Sequence, residues 1–323
     1  MITVKGIFKT YHVYQGKGWK RRKKEIHALE NMDFQVTRGE CLGYIGPNGA
    51  GKSTTVKILT GIMVPDSGEV ISNGYCPWKE RKRYVKNIGV VFGQKTQMWW
   101  DLPVADSYAL LGSLYRVEPR KARKQIDFLV DALQLSEIFH QPVRQLSLGQ
   151  RMRAEVGAAL VHDPDLLFLD EPSIGLDVVS QHNLQNFLKQ LNQSGKTIFL
   201  TTHNLKEIET LCTRAMVINQ GKIIFHGTIP NLKKMTELPV MVKVQLFENP
   251  TPEGMEQIRA LSGEYDREQG IVAIPAGHEK GVAEITRILM HHLPVEDLRV
   301  EEPGIEEIVK AIYLQELSRN RVV

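Results

Sequence analysis

The stretch GPNGAGKST, Gly46–Thr54, has the spacing G-x-x-x-x-G-K-[S/T] and lies between the run ECLGYIG and the helical run TTVKILTGI. A loop of that spacing, entered from a strand and leaving into a helix, is a phosphate cradle. Gly46, Gly49 and Gly51, with Pro47, Asn48 and Ala50, let backbone N–H groups curl around phosphate oxygens. The Lys52 ammonium then reaches the outer phosphates, and the Ser53 hydroxyl, with Thr54 beside it, is placed to hold Mg2+.

Downstream, DLLFLDEP (165–172) reads as an apolar strand that delivers Asp170 to its end with Glu171 directly after it. One carboxylate there can join a Mg2+ shell, and the next can polarise a water that attacks the terminal phosphate. A second anion site precedes this pair. LSLGQRMRAE (146–155) reads as a helix start, with Ser147, Gly149 and Gln150 at the end where free N–H groups and the positive dipole point outward. One nucleotide-binding chain thus carries two candidate phosphate contacts about a hundred residues apart.

Together these motifs resemble the nucleotide-binding subunit of an ABC transporter, over residues 1–235. LSLGQ (146–150) is similar to that family's LSGGQ signature, with Leu148 where the third position is usually glycine. The resemblance implies ATP with Mg2+ as the ligand pair. It also implies a head-to-tail pair of subunits, the signature of one closing over the γ-phosphate held by the other, which accounts for the second anion site. By the same resemblance Tyr11 stacks on adenine, Gln94 in VVFGQ senses Mg2+ and the attacking water, Asp177 in SIGLD crosses the dimer interface, and His203 in LTTHN faces the γ-phosphate. A half-buried tyrosine at a strand end is the lesser alternative for Tyr11, and Gln97 competes with Gln94 for the sensor position. Metal contacts fall to Ser53, Gln94 and Asp170, and hydrolysis to Glu171, His203 and Gln94.

The elements that must position these residues alternate as short β-rich runs and helical stretches up to about residue 235, which predicts an α/β P-loop core with a parallel sheet. Strands are expected at 2–8, 40–46, 87–92, 165–170, 196–202 and 214–219, and near HALENMDF (27–34). Between about 98 and 160 the pattern turns helical, which predicts an inserted helical subdomain; the antiparallel β subdomain follows from the family. TIPNLKKMTELP (228–239) has the composition of a linker, and residues 236–323 alternate as βαββαβα, a small ferredoxin-like α+β accessory domain.

Bulk properties narrow the classes further. The chain of 323 residues is 42% hydrophobic and 24% charged, a globular composition with a sizeable core. No apolar run approaches the roughly 18 residues of a membrane span, and the N-terminus lacks a secretory core. Three scattered cysteines argue for a reducing compartment. The net charge of +4 is local: six cations fall in KGWKRRKK (17–24), so no nucleic-acid footprint is spread over a face. The insert 14–26 that holds them suits either an anionic lipid surface or a solvated loop.

The resemblance implies an ATPase subunit of a drug-export or ABC-2-like system. It would be peripheral on the cytoplasmic face of the membrane, paired with a second ATPase subunit (a homodimer) and a separately encoded integral permease. Trp99 and Trp100 in QKTQMWWDLPV either line a groove for a permease helix or belong to the subdomain core. The rival classes are a soluble mechanical ATPase acting on ribosomes or DNA, and a ligand-regulated ATPase switch.

Overall fold

The computed structural model describes residues 1–15, 22–93, 95–236, 238–277 and 281–319. It divides into two compact units, Met1–Ile229 and Pro230–Val323. The division falls ahead of the boundary expected at residue 235.

The first unit opens with a hairpin of β1 (Ile2–Gln15) and β2 (Arg22–Val36), whose antiparallel register runs from Ile2 opposite Val36 to Gln15 opposite Arg22. The described residues of the insert expected over 14–26 are strand: β1 reaches Gln15 and β2 starts at Arg22, and residues 16–21 lie outside the described residues. β3 (Cys41–Ile45) is buried along its whole length and feeds α1 (Lys52–Leu59). β4 (Ser67–Ser72) then pairs with the first half of β1, completing a three-stranded antiparallel sheet.

After α2 (Arg81–Tyr84) and β5 (Ile88–Phe92) come the helices α3 (Val104–Leu114), α4 (Pro119–Ala132) and α5 (Leu148–Leu160). Pro119 sits in the first turn of α4, where its missing N–H costs nothing. β6 (Leu166–Asp170), α6 (Val178–Gln193), β7 (Thr197–Thr201), α7 (Leu205–Leu211), β8 (Arg214–Asn219) and β9 (Lys222–Thr228) close the unit. The second sheet has the order β5-β6-β7-β3-β8-β9, parallel except for β9. Strands such as LLFLD and TIFLT are apolar through consecutive central positions because a parallel sheet is covered on both faces.

The two sheets meet around α1. Ile2, Val4 and Phe34 of the antiparallel sheet share one core with Val56 and Leu59 of α1 and Phe168 and Phe199 of the parallel sheet. The Phe199 ring lies 5.2 Å from Tyr44 and 5.8 Å from Phe168, centroid to centroid.

The second unit begins in α8 (Ile229–Lys233), a short helix where a linker was expected. β10 (Val240–Leu246), α9 (Pro252–Ala260), β11 (Glu264–Asp266), β12 (Ile271–Ala276), α10 (Val282–His292), β13 (Val295–Glu301) and α11 (Ile305–Arg319) follow. The sheet order β11-β12-β10-β13, antiparallel throughout, is the split βαβ arrangement. Alternate residues Val242, Val244, Val272 and Ile274 form the inner face, covered by Ile258 of α9 and Leu289 of α10.

Candidate functional site

The chemistry gathers at the carboxyl ends of β3, β5, β6 and β7, where open parallel sheets place their ligands. The loop 46–51 leaves β3 and turns tightly into α1. Gly51 has φ +108°, and a Cβ there would lie 2.5 Å from the Ala28 carbonyl, so no other residue fits. Gly49, at φ +83°, is needed for its backbone conformation alone.

Lys52 is 8% exposed and folds back over the loop, donating to the Gly46 carbonyl at 2.5 Å and the Pro47 carbonyl at 3.2 Å. Burial lowers the Lys52 pKa, while Glu171 and Asp170 nearby pull it back up. The ammonium is thus held by neutral carbonyls, which an entering phosphate can replace as the stronger, charged acceptor.

Asp170 ends β6, in register with Phe92 of β5 on one side and Thr201 of β7 on the other. Its carboxylate accepts a hydrogen bond from the Thr201 hydroxyl, and its carbonyl accepts from Gly93 N–H at 2.9 Å. Burial raises the Asp170 pKa, Thr201 opposes that shift, and the adjoining Glu171 adds to it. Glu171 adopts φ +53°, the left-handed region that a non-glycine residue occupies only when its surroundings impose it, and its N–H donates to Thr201 O at 2.9 Å. Its Oε2 lies 3.5 Å from His203 Nδ1. His203 is held in the turn after β7 by Asn204, whose N–H donates to the Thr202 hydroxyl at 3.0 Å and whose side chain accepts from Lys206 N–H at 3.1 Å.

These groups line one cavity of about 1000 Å³. Pro47, Asn48, Gly49, Gly51, Ser53 and Thr54 border it together with Lys52. Gly46 and Ala50 act from behind instead: the Gly46 carbonyl accepts from Lys52, and Ala50 is buried in the core. Tyr11 also lines the cavity, its hydroxyl 3.3 Å from Thr54 Oγ1 and donating to Met63 Sδ at 3.2 Å. It lies within β1, not at a strand end, and faces Ile26 of β2 in register. Ile26 and Ile62 line the same cavity and were not singled out from the sequence. The signal for Ile26 was there: once the hairpin register is known, it sits opposite Tyr11.

The donor set fits Mg2+. Asp170 is a carboxylate that burial disfavours and a cation would relieve, and the Ser53 hydroxyl borders the same space. Among the described residues no group of three or more His, Cys, Asp or Glu could cage an ion. A divalent ion here would take phosphate and water oxygens for most of its shell, as Mg2+ does with nucleotides. Gln94 lies outside the described residues. Gln97 does not border the cavity; its side-chain amide donates to the Glu155 carbonyl of α5 at 3.1 Å.

Ser147, Gly149, Gln150 and Asp177 do not line this cavity. Ser147 caps α5 in a reciprocal box: Gln150 N–H donates to Ser147 Oγ at 3.2 Å, and Ser147 N–H donates to Gln150 Oε1 at 2.9 Å. The S-x-x-Q spacing gives the two residues this structural role besides any ligand contact. Asp177 likewise caps α6, accepting from Ser180 N–H at 2.9 Å and from its hydroxyl at 2.6 Å, bonds that lower the Asp177 pKa. Leu148 lies over the backbone of Gly175, where an added Cβ would come within 2.1 Å of its Cδ2.

Comparison with known proteins agrees with this geometry. The family described as ABC transporter matches residues 29–174. A linearmycin resistance ATP-binding protein of Bacillus subtilis (strain 168) is 32% identical over 293 residues, 88% of this chain and 93% of that protein. A daunorubicin resistance ATP-binding protein of Streptomyces coeruleorubidus is 34% identical, covering 68% of this chain and 69% of that one. Among solved structures, a dimeric ATP-binding cassette in a post-hydrolysis state bound to ADP and Pi superposes with a TM-score of 0.63 at 26% identity, over 71% of this chain and 99% of that one. Phosphate loop, acid pair and histidine meet in one cleft, and likeness at this level runs through nearly the whole chain, so the protein belongs to the ABC transporter family as one of its ATP-binding proteins.

Proposed function

We propose that the chain is the ATP-hydrolysing subunit of an export system, closing head to tail with a second copy around two ATP to drive a separately encoded membrane permease. One observation carries this reading. Lys52, Asp170, Glu171 and His203 share a cavity, whereas the exposed N-terminus of α5, with Ser147 and Gly149, lies outside it. A second copy supplies what the cavity lacks. Val178 and Val179, 82% and 69% exposed in the first turn after Asp177, add apolar surface suited to such a contact.

In this reading Lys52 grips the outer phosphates, and the free N–H groups at the start of α5 with the Ser147 hydroxyl cap the terminal phosphate bound by the partner. Glu171 accepts a proton from, or orients, the attacking water. His203, 3.5 Å from Glu171, holds the γ-phosphate in line. Tyr11, Ile26 and Ile62 offer an apolar bed for the base. Ser53 and Asp170 would hold Mg2+, with Gln94 a third ligand by the family resemblance, and the ion would supply positive charge against the phosphates. Binding energy closes the pair and product release reopens it, so each turnover moves the permease.

Among the described residues no helix is long and apolar enough to cross a membrane, and the reading assigns the membrane path to the permease. Relatives named for drug resistance and Nod factor export support export as the direction, and work at the cytoplasmic face belongs to the same proposal.

Mixing two defective proteins tests the shared site. Lys52→Ala and Ser147→Arg are each inactive alone in this reading, but a mixed pair holds one intact composite site. Recovery of ATP hydrolysis on mixing supports it. No recovery at any ratio means that Ser147 does not serve a partner's nucleotide.

A further inference from the structure

Glu155 lies in the middle of α5, and only 4% of it is exposed. A carboxylate is retained at such a depth only when its oxygens are hydrogen-bonded. The partners of Glu155 come from the segment that follows β5. Gln97 N–H donates to Oε2 at 3.1 Å, and the Thr96 hydroxyl donates to Oε1. The Gln97 side-chain amide donates to the Glu155 carbonyl at 3.1 Å. Burial raises the Glu155 pKa against the bonds from Thr96, Gln97 and Met98, so those bonds are what this carboxyl has in place of water.

The two ends of this latch lie at different functional places. Lys95, next to Thr96, lines the nucleotide cavity and is anchored by its N–H to the Phe92 carbonyl at 2.8 Å. Ser147 and Gly149 stand at the start of the helix that carries Glu155, about 9–12 Å along its axis. One buried side chain therefore joins the wall of the chain's own cavity to the helix end that lies outside it. An apolar residue of the same size would fill the space without gripping the segment.

We infer that Glu155 is a positioning residue: through Thr96 and Gln97 it ties the segment at one nucleotide to the orientation of the α5 N-terminus that this chain offers to the nucleotide of a second copy. The inference rests on the head-to-tail reading above. Glu155 does not border the cavity; it acts through α5.

The test uses full-length protein carrying Glu171→Gln, with two readouts: ATP affinity by calorimetry, and the ATP concentration that half-saturates pairing by light scattering. Glu155→Ala and Thr96→Val are expected to leave the affinity of the single chain near that of the parent and to raise the pairing concentration by about tenfold or more. Glu155→Gln is expected to restore pairing, because its amide keeps an oxygen for Gln97 N–H and can donate to the Thr96 hydroxyl. Should Glu155→Ala not fold, Thr96→Val carries the same test. Unchanged pairing in both variants overturns the inference, as does a loss of affinity and pairing together or the absence of rescue. A parent protein that stays single with ATP bound defeats the head-to-tail reading itself, and this inference with it.

Discussion

Glu171 Oε2 and His203 Nδ1 stand 3.5 Å apart, and Glu171 holds that position from a left-handed backbone at φ +53°. A residue kept in such a conformation beside a phosphate cradle is placed for chemistry more than for packing. Glu171→Gln preserves shape and backbone but cannot accept a proton. Its turnover is expected to fall by about 10²–10⁴-fold, with ATP affinity retained. Steady-state hydrolysis beside calorimetric ATP binding checks this, and rapid turnover by the variant would remove Glu171 from the mechanism.

Leu148 covers Gly175, which has φ +73°, so two separate obstacles meet any side chain at 175. Gly175→Ala is expected to lower stability by about 1–3 kcal/mol, from the strained backbone and from the clash with Leu148. In a Leu148→Gly background the clash disappears and only the backbone strain remains. A urea double-mutant cycle with no coupling between the two positions would show that the contact is not made.

His162 stacks on Tyr115 at 3.8 Å and makes a hydrogen bond from Nε2 to the Ile88 carbonyl at 2.9 Å, while its buried Nδ1 has no partner among the described residues. Burial pushes its pKa down to about 4, against an ordinary value of 6.5. Below pH 6.5 the unfolded chain takes up this proton before the folded one does. The stability from neutral His162 is thus complete above pH 6.5 and is lost as pH falls toward 4, with a slope of up to about 1.4 kcal/mol per pH unit. His162→Phe keeps the stack and removes the titration. It is expected to be less stable than the parent at pH 7.5, with the gap narrowing by pH 5; urea midpoints that stay equally far apart would contradict this.

Trp99 and Trp100 are 43% and 47% exposed, and the Arg151 guanidinium lies 5.5 Å from the Trp100 ring centroid. This exposure favours the surface alternative over the core one. Trp99→Ala/Trp100→Ala is expected to cost about 1 kcal/mol or less in unfolding, far below a core tryptophan, while permease-dependent transport is lost. Transport at the parent level would exclude a docking role for the pair.

Much of this site was legible because its chemistry is local in sequence. The 46–54 loop, the Asp170–Glu171 pair and His203 each stand at the end of a short apolar strand; spacing alone pointed to the loop, and the acid pair was read from its place downstream of that loop. What stayed hidden depends on partners far along the chain. β4 reads SGEVIS with only two of six positions buried, and β9 reads KIIFHGT with none, so neither gives the apolar run of a central strand. The charged residues 22–25 of β2 read as a basic insert because their strand state comes from pairing with β1. Ile229–Lys233 has a linker's polarity, yet its Leu232 is fully buried. The Glu155 latch joins residues 58 positions apart, a distance no local pattern spans.

The central claim is that two chains share each nucleotide, and the mass of the Glu171→Gln protein measures this most directly. With saturating ATP and Mg2+ the light-scattering mass should double, return to that of one chain when the nucleotide is removed, and stay undoubled when Ser147→Arg is added. A single-chain mass at saturating ATP, with nucleotide shown to be bound, would contradict the account.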